Sequence, residues 1–413
     1  MKITRLESFT VAVPFKAPIL SAFGVSYPAR IRTFIRLHTD EGLTGIGETG
    51  PSALHYVNRE SLITRFDKSV APAVVGEDPF DFNWIRRKLY NSGDAVAVEI
   101  ACWDLIAKKA GVPLYRLLGG HGEKVGVPVA GYCFFRAPAR DGTGGVTPDT
   151  FVDHCLSVKA EGGYSVLKLK FGSNRPETEV ALAAKLRASA GPELGMRVDP
   201  NGSWSLTTAL QMLKRLEPID LEYIEEPIRV QGPADATTAT ALLKRLRSIS
   251  ATPIAADHCY RTDLLAQIIR EDAADVVLAD VFGAGGIEPA INFCRLAGAF
   301  GLGVAMHSGA ELCVGQVVKL HVHAAMPDVV THAGDSIYPE YADGVLQGGK
   351  LQIRDGSMAV PQTPGLGVDL DPVRLARWEL TADWHRELDA FWDHTKAMIG
   401  VTYPTSDMLM RHY

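Results

Sequence analysis

The chain has 413 residues, of which 46% are hydrophobic and 22% charged, and its formal net charge is −6 at pH 7. That length is too great for one small core and predicts two domains, while the mild charge, without a basic run or a basic face carrying aromatic residues, argues against nucleic acid as a partner. No apolar run reaches membrane-spanning length and the six scattered cysteines form no CxxC pair, so we expect a cytoplasmic protein with reduced thiols and no zinc cluster.

Residues 1–124 have the pattern of an α+β domain. Strands are predicted in ITRLESFTVAV, RTFIRLHTD and LTGIGET, the last two joined by the turn residues DEG. Helical spacing of apolar residues runs through residues 58–75 and 80–120, with a break at Gly111 and Pro113 and a stop at a Gly-Gly pair.

From residue 125 to 365 short apolar strands alternate with amphipathic helices. We predict strands in VGVPVAGYCFF, SVLKLKF, GMRVD, EYIEE, PIAAD, DVVLAD, GVAMH and DVVTHAG. These units fit a (β/α)8-type barrel, because parallel neighbours need crossover helices and such a barrel takes about 250 residues. The remaining segment, residues 366–413, opens with LGVDLDP and is expected to return to the first domain.

Two lysines lie one residue apart in the predicted strand VLKLKFG. Side chains alternate faces along a strand, so Lys168 and Lys170 enter one compartment while the leucines face the other way. Taken alone, the pair is better explained by a wet edge strand whose lysines discourage aggregation. The polar ends of the neighbouring strands argue against that alternative, because barrel active sites lie at the carboxyl ends of the strands.

Polar residues also end the following strands, in the order Asp199, Glu225 with Glu226, Asp257, Asp280 and His307. Taken alone, Asp199 or Asp257 is explained by a helix N-cap worth about 1 kcal/mol, and Glu225 with Glu226 by a solvated corner. A lone histidine is more often a core residue. Three successive strands ending in carboxylates, however, crowd negative charge at one barrel mouth. A bound divalent cation removes that conflict, and oxygen ligands favour Mg²⁺, with Mn²⁺ as a substitute.

Two candidate bases accompany these acids. Asp280 precedes His307 by one strand–helix–strand step, and a carboxylate beside an imidazole fixes the tautomer that a general base needs. Lys168 and the metal are both expected to lower the pKa of Lys170. Lys170 and His307 would then face each other across the metal.

Such an arrangement is suited to removing a proton α to a carboxylate and stabilising the enediolate that forms. The opposing base then has two options. It returns a proton from the other side, which gives racemisation, or it protonates a departing β-hydroxyl, which gives dehydration.

Taken together, the motifs resemble the enolase superfamily, its mandelate racemase subgroup and, most closely, the glucarate dehydratase-like branch. The segments that carry the resemblance cover nearly the whole chain and follow in family order: WDLIAKKAGVPLYRLLGG, LKLKFG, RVDPNGSWSL, IEEP, the Asp280–His307 pair and TPGLGVDLD. The resemblance implies a modified (β/α)7β barrel in residues 125–365, with a capping domain built from residues 1–124 and 366–413. It also implies a Mg²⁺-dependent acid sugar dehydratase that converts an aldonate or aldarate to a 2-keto-3-deoxy acid.

By residue, the resemblance implies Mg²⁺ ligands at Asp199, Glu225 and Asp257. Lys170 and His307 would be the bases, Asp280 would orient His307, and Lys168 would contact the substrate carboxylate. The candidate substrate-binding residues are Asn201 beside the metal, Ser308 after the base, Asp335 at the enediolate, and Phe23, Tyr27, His55 and Tyr56 on two capping loops.

Several alternatives stay open at this point. The fifth-strand motif PIAADHCY departs from the family pattern, so His258 competes with Asp257 as third ligand; we prefer Asp257 because an oxygen ligand suits Mg²⁺. A racemase or epimerase of a 2-hydroxy acid would use the same two bases. A non-catalytic binding protein on an inherited barrel would be expected to have lost bases or ligands, and both sets are present. The partner we expect is a small carboxylate, and we expect a homo-oligomer.

Overall fold

The structure is a computed structural model that describes residues 1–26, 29–50, 64–90, 92–122, 126–138, 143–228 and 236–381. Its strands are β1 (Ile3–Pro14), β2 (Ile19–Ser21), β3 (Gly24–Val25), β4 (Ala29–Thr39), β5 (Thr44–Glu48), β6 (Val127–Pro128), β7 (Gly131–Cys133), β8 (Phe135–Arg136), β9 (Val166–Lys170), β10 (Gly195–Asp199), β11 (Tyr223–Glu225), β12 (Ile254–Ala256), β13 (Val276–Ala279), β14 (Gly303–Met306), β15 (Ile353–Arg354) and β16 (Ser357–Met358).

The described α-helices are α1 (Ala71–Val74), α2 (Phe82–Lys88), α3 (Gly93–Lys109), α4 (Leu114–Leu117), α5 (Phe151–Gly162), α6 (Pro176–Ala190), α7 (Leu206–Leu216), α8 (Ala236–Arg247), α9 (Thr262–Glu271), α10 (Val281–Ala284), α11 (Ile287–Ala299), α12 (Cys313–Ala325) and α13 (Pro372–Arg377). A π-helical turn spans Phe66–Val70, and 3-10 turns span Pro79–Asp81, Glu217–Ile219 and Tyr338–Glu340. None of the helices in the described ranges is long and apolar enough to cross a bilayer.

The N-terminal region forms an antiparallel sheet in the order β1-β4-β5, as the three predicted strands require. Helix α3 lies directly on this sheet, and the contact depends on two glycines of the LTGIGET motif. A Cβ atom on Gly47 would lie 1.9 Å from the carbonyl oxygen of Ala97, and one on Gly45 would lie 2.3 Å from that of Ala101. Only glycine therefore allows β5 and α3 to approach so closely.

The larger region is a parallel barrel. Seven strands form one sheet in the order β14-β13-β12-β11-β10-β9-β7, and helices join successive strands. The ring closes where Val330 bridges Val304 of β14 and Gly334 bridges Val129, both in parallel. The predicted barrel with a capping domain is confirmed, but the eighth predicted strand, DVVTHAG, is reduced to these two bridges.

Two carboxylates of the capping region bind the N-termini of barrel helices. Glu48, at the end of β5, accepts hydrogen bonds from the backbone N–H groups of Leu312 (2.6 Å) and Gly315 (2.8 Å) at the start of α12. Glu99, on α3, accepts from the N–H groups of Ile287 (2.8 Å) and Glu288 at the start of α11. A carboxylate at a helix N-terminus satisfies N–H groups that lack a partner and interacts favourably with the helix dipole, so these contacts fix the cap on the barrel.

The C-terminal part of the described chain returns to the cap. Gly365 bridges Pro113, and Glu379 bridges Val11 of β1. Strands β2 and β3 form a small sheet with β8, which follows the first barrel strand. This sheet places residues 19–26 of the cap over the carboxyl ends of the barrel strands.

Candidate active site

The carboxyl ends of β9, β10, β11 and β12 bring five charged side chains together. In the parallel register Lys170 lies opposite Asp199, and both end their strands. Glu225 ends β11, and Asp257 directly follows β12. All of these side chains are buried, as is Lys168. The alternation predicted from VLKLKFG therefore sends both lysines into one compartment with the acids.

Lys168 forms the floor of this compartment. Its Nζ lies 2.6 Å from Glu225 Oε2, 2.5 Å from Asp335 Oδ2 and 3.3 Å from Asp199 Oδ2. Burial would lower the pKa of Lys168, but the carboxylates of Asp335 and Glu225 hold it well above its usual value. Lys168 is therefore a fixed ammonium group and does not serve as a base near neutral pH.

Lys170 lies nearer the solvent. Its Nζ is 2.5 Å from Asp199 Oδ2 and 5.1 Å from the ring centroid of Tyr132, which also lies under Lys168 at 5.3 Å. Burial would raise the pKa of Asp199, but Lys170 and Lys168 hold it well below its usual value. Asp199 is therefore a carboxylate whose Oδ2 is shared by two ammonium groups.

The chain turns sharply just beyond three of these strands. Asn201, Glu226 and His258 follow β10, β11 and β12, and their φ angles are +48°, +37° and +55°. Residues with a Cβ rarely adopt such a conformation, and they cluster at functional sites because the surrounding structure must hold the strain. The turn after β11 lets Glu226 as well as Glu225 lie among the charged groups.

Two overlapping groups of side chains have the spacing of metal ligands. Ligand atoms of Glu225, Asp257 and His307 lie within 4.8 Å of one another, and so do those of Glu226, Asp257 and His258. Both groups contain Asp257. An oxygen-rich set of this kind suits Mg²⁺ better than Zn²⁺, which favours histidine and thiolate.

Unpartnered carboxylate oxygens support a cation at this place. Glu225 Oε1 and Glu226 Oε1 are buried and accept no hydrogen bond within the described residues. Glu226 Oε2 and Asp257 Oδ2 have only histidine neighbours, since His258 Nδ1 lies 3.0 Å from the first and 3.2 Å from the second. A buried oxygen without a donor is costly, and a divalent cation would satisfy several at once. Asp199, the remaining predicted ligand, belongs to neither group, and its Oδ2 faces the two lysines.

The pKa shifts of the acids also support a bound cation at this place. Burial, and then the nearby charge of Asp199, raises the pKa of Glu225 well above its usual value. Burial would also raise the pKa of Asp257, but His258 and His307 lower it to about 2. The crowded carboxylates thus oppose the ionisation of Glu225, which is the conflict that a divalent ion would remove.

His307 and Asp280 form a pair on the far side of the cluster. His307 Nδ1 lies 2.7 Å from Asp280 Oδ2, while Asp280 Oδ1 accepts hydrogen bonds from Phe282 N (2.6 Å) and Gly283 N (2.8 Å) at the start of α10. Burial would raise the pKa of Asp280, but its hydrogen bond with His307 lowers it. An ionised Asp280 keeps the proton of the neutral imidazole on Nδ1 and leaves Nε2, 3.4 Å from Asp257, as the acceptor.

Tyr260 connects the pair to the acids. Its hydroxyl donates to Asp257 Oδ1 (2.6 Å) and lies 3.1 Å from His307 Nδ1. Sequence reasoning missed this residue, although it closes the fifth-strand motif PIAADHCY. It also missed Tyr132, for which a signal existed: in the parallel register Tyr132 lies opposite Lys168, so both point to the same face.

A cavity of about 370 Å³ opens above these groups. Lys170 and His307 both line it, with Asn201, Ser308 and Phe23, three of the predicted substrate-binding residues. Its volume is within the range of small-molecule sites. The structure therefore brings both predicted bases to one cavity.

The other predicted substrate-binding residues are placed differently. Asp335 is absent from the cavity wall, because its side chain lies behind Lys168, 2.5 Å from Nζ and 3.5 Å from Arg197 Nη1. Tyr27, His55 and Tyr56 lie outside the described residues. His258 lines the cavity and lies 3.2 Å from Asp257, so both alternatives for the third ligand are at the site.

Two family models match the chain. The N-terminal domain of mandelate racemase and muconate lactonizing enzyme matches residues 4–119, and the enolase C-terminal domain-like model matches residues 150–374. Together they span most of the chain.

Individual relatives cover nearly the full length. The chain is 30% identical to a probable glucarate dehydratase of Streptomyces coelicolor, over 91% of this chain and 90% of that protein. It is 28% identical to a D-Ala-D/L-Ala epimerase of Cytophaga hutchinsonii, over 89% and 95% of the two chains. A solved structure, an enolase of Thermobispora bispora complexed with magnesium and formate, superposes with a TM-score of 0.83 at 27% identity and covers all of both chains.

Proposed function

Because the chain belongs to the mandelate racemase and muconate lactonizing enzyme family of the enolase superfamily, we propose that it is a Mg²⁺-dependent acid sugar dehydratase. It would abstract the proton α to a carboxylate and eliminate the β-hydroxyl, giving a 2-keto-3-deoxy acid. The observation that carries this proposal is the meeting of Lys170 and His307 at one cavity, above a cluster of buried carboxylates in which Glu225 Oε1 and Glu226 Oε1 accept no hydrogen bond within the described residues.

The two bases come from well-separated positions around the barrel. Lys170 ends β9, the second strand of the ring, and His307 follows β14, the seventh. Glu225 and Asp257 end the fourth and fifth strands, between them. This arrangement supports opposite approach of the bases to an α-carbon held over the acids.

The carboxylates of Glu225 and Asp257 would hold the cation. Asp199, or Glu226 with His258, would complete the set of ligands. A magnesium ion there would supply positive charge next to the substrate carboxylate. Lys168, a buried ammonium group, would add to the positive potential beneath it. Both effects favour the second negative charge of an enediolate.

The remaining steps use side chains of this chain alone. His307, whose Nδ1 proton is fixed by Asp280, would accept the α-proton on Nε2 or return it, according to the configuration of the substrate. In the dehydration, the α C–H bond and then the β C–O bond break, the hydroxyl leaves as water with a proton from the opposing base, and the enol becomes the 2-keto acid. Lys170 would be the base for the opposite configuration.

A racemase or epimerase is the second candidate, and one observation favours it. Ile19, Phe23 and Val25 give the cap side of the cavity an apolar part that would suit a less hydroxylated substrate, although Ser21, Ser26 and Arg30 line the same side. The epimerase among the relatives supports the same alternative.

A screen separates the two reactions. A library of aldonates and aldarates, with mandelate-like 2-hydroxy acids added, is incubated with the Mg²⁺-loaded protein, and 2-keto acid release and α-proton exchange are measured. Dehydration predicts 2-keto acid from at least one acid sugar, abolished in His307→Asn. His38→Asn is the matched control, because His38 lies on the cap beside Glu7, 2.7 Å away, and should keep full activity. Exchange without 2-keto acid from any acid sugar would overturn the proposal in favour of racemisation.

A further inference from the structure

A cation without an acidic partner lines the cap side of the cavity. Arg30, on β4, is half-buried, and its Nε is buried with no hydrogen-bond partner among the described residues. No carboxylate of the described residues lies within 4.0 Å of its guanidinium. Two neutral groups contact it: the ring of Phe15, 5.7 Å from the guanidinium carbon, and the hydroxyl of Tyr341, to which it hydrogen-bonds.

Two other arginines on the same face of β4 have partners within the protein. Arg32 lies 3.6 Å from Glu48 and donates to Ala310 O at 2.6 Å. Arg36 forms an ion pair with Asp369 at 2.8 Å. Arg30 differs from both in facing the cavity, where a ligand can reach it.

The other described cap residues that line the cavity carry no positive charge to pair with an anion. The described residues there are apolar, apart from the hydroxyls of Ser21 and Ser26. The barrel side of the cavity carries Lys170, Asn201 and His307, where the α-proton would be removed. The cavity wall therefore includes a cation from each domain, Lys170 of the barrel and Arg30 of the cap.

We propose that Arg30 binds a second carboxylate of the substrate, so that the protein takes dicarboxylic acid sugars, the aldarates, in preference to aldonates. The reaction named here rests on the proposed function, whereas the binding of a second carboxylate by Arg30 does not depend on it. A guanidinium presents a planar fork that matches a carboxylate in two hydrogen bonds. An aldonate places a neutral CH₂OH group at this point and leaves the half-buried cation unpaired, and sites built for a charged partner discriminate strongly against its absence.

Matched pairs of acids test the proposal. Glucarate and gluconate share one six-carbon skeleton and differ only in the terminal carboxylate, and epimeric aldarate–aldonate pairs cover other configurations. Dissociation constants are measured by titration calorimetry in the Mg²⁺-loaded His307→Asn protein, which cannot complete turnover. With Arg30 present, the best aldarate should bind roughly 30-fold or more tightly than its aldonate, as expected for a paired charge. Arg30→Gln should bring that ratio close to one.

Control variants make the result specific. Arg36→Gln removes an arginine of the same strand that pairs with Asp369, and it should keep the preference. Arg30→Lys keeps the positive charge but not the planar guanidinium, so this variant should keep part of the preference for aldarates. Thermal melting of each variant checks that the fold is intact.

The failure of this proposal is distinguishable from the failure of the dehydratase assignment. Equal binding of aldarates and aldonates with Arg30 present, a preference unchanged in Arg30→Gln, or no binding of any aldarate would overturn the role of Arg30. An aldarate preference that depends on Arg30, without 2-keto acid from any acid sugar, would instead overturn the dehydratase assignment alone.

Discussion

Replacing Asp280 by asparagine should separate the structural and the chemical work of this side chain. Oδ1 accepts the N–H groups of Phe282 and Gly283, and Oδ2 accepts from His307 Nδ1. An asparagine oxygen can still accept the two N–H groups, so Asp280→Asn should change the free energy of unfolding by less than about 1 kcal/mol. Asp280→Ala loses the cap as well and should cost about 1–2 kcal/mol.

The same substitution should disable the base. The asparagine NH₂ group takes the place of Oδ2 and donates to Nδ1, so the imidazole proton moves to Nε2, the nitrogen that must accept the substrate proton. Loss of a general base typically costs about 10²–10⁴ in rate. Urea unfolding gives the stability, α-proton exchange gives the rate, and ¹⁵N NMR of the histidines reports the tautomer of His307. An Asp280→Asn protein with exchange within tenfold of wild type, or with the Nε2 of His307 still unprotonated, would refute the role assigned to Asp280.

Three further predictions concern the stability of the fold. His321 accepts a hydrogen bond from Tyr115 N and contacts Leu366 O, and burial lowers its pKa to about 4 from 6.5. Its contribution to stability should therefore fall as the pH drops below 6.5, by about 2 kcal/mol between pH 7.5 and 5, and His321→Gln should reduce the pH dependence of stability by about that amount in thermal melts. Gly47→Ala should cost about 3 kcal/mol or more, because the new Cβ would lie 1.9 Å from Ala97 O, whereas Gly93→Ala meets no atom within 4 Å and should be nearly neutral in urea unfolding. Mg²⁺ at about a hundred times its dissociation constant should stabilise the chelator-treated protein by about 2.7 kcal/mol, and Glu225→Gln should lose most of that gain; a wild-type melting temperature indifferent to Mg²⁺ would contradict the cation site.

The charged residues at the carboxyl ends of the barrel strands were predictable from the alternation of side chains along a strand and from the order of the strands. Lys168 and Lys170 share a face because strand side chains alternate, and Asp199, Glu225 and Asp257 meet them because parallel strands end at one edge. Each of these positions depends on local pattern plus one rule of topology. The eighth strand was less predictable, since DVVTHAG pairs with its neighbours only at Val330 and Gly334.

Residues that reach the site from loops or from the cap could not be placed in this way. Arg30 belongs to a strand of another sheet, and only the docking of cap on barrel brings it to the cavity. Asp335 was expected at the enediolate, but the chain places it behind Lys168, where a buried ammonium group needs a counter-charge. Sequence spacing defines which strand a residue ends, and it does not define how deep the side chain lies.

The central claim is that Lys170 and His307 serve opposite faces of one substrate carbon. With an acid sugar accepted by the protein, or with both epimers of a 2-hydroxy acid, deuterium incorporation at the α-carbon is measured in D₂O for wild type, Lys170→Ala and His307→Asn. Each variant should lose exchange for one configuration and keep it for the other. Exchange of both configurations surviving either substitution, or both being lost together in a folded Mg²⁺-binding variant, would contradict the two-base site.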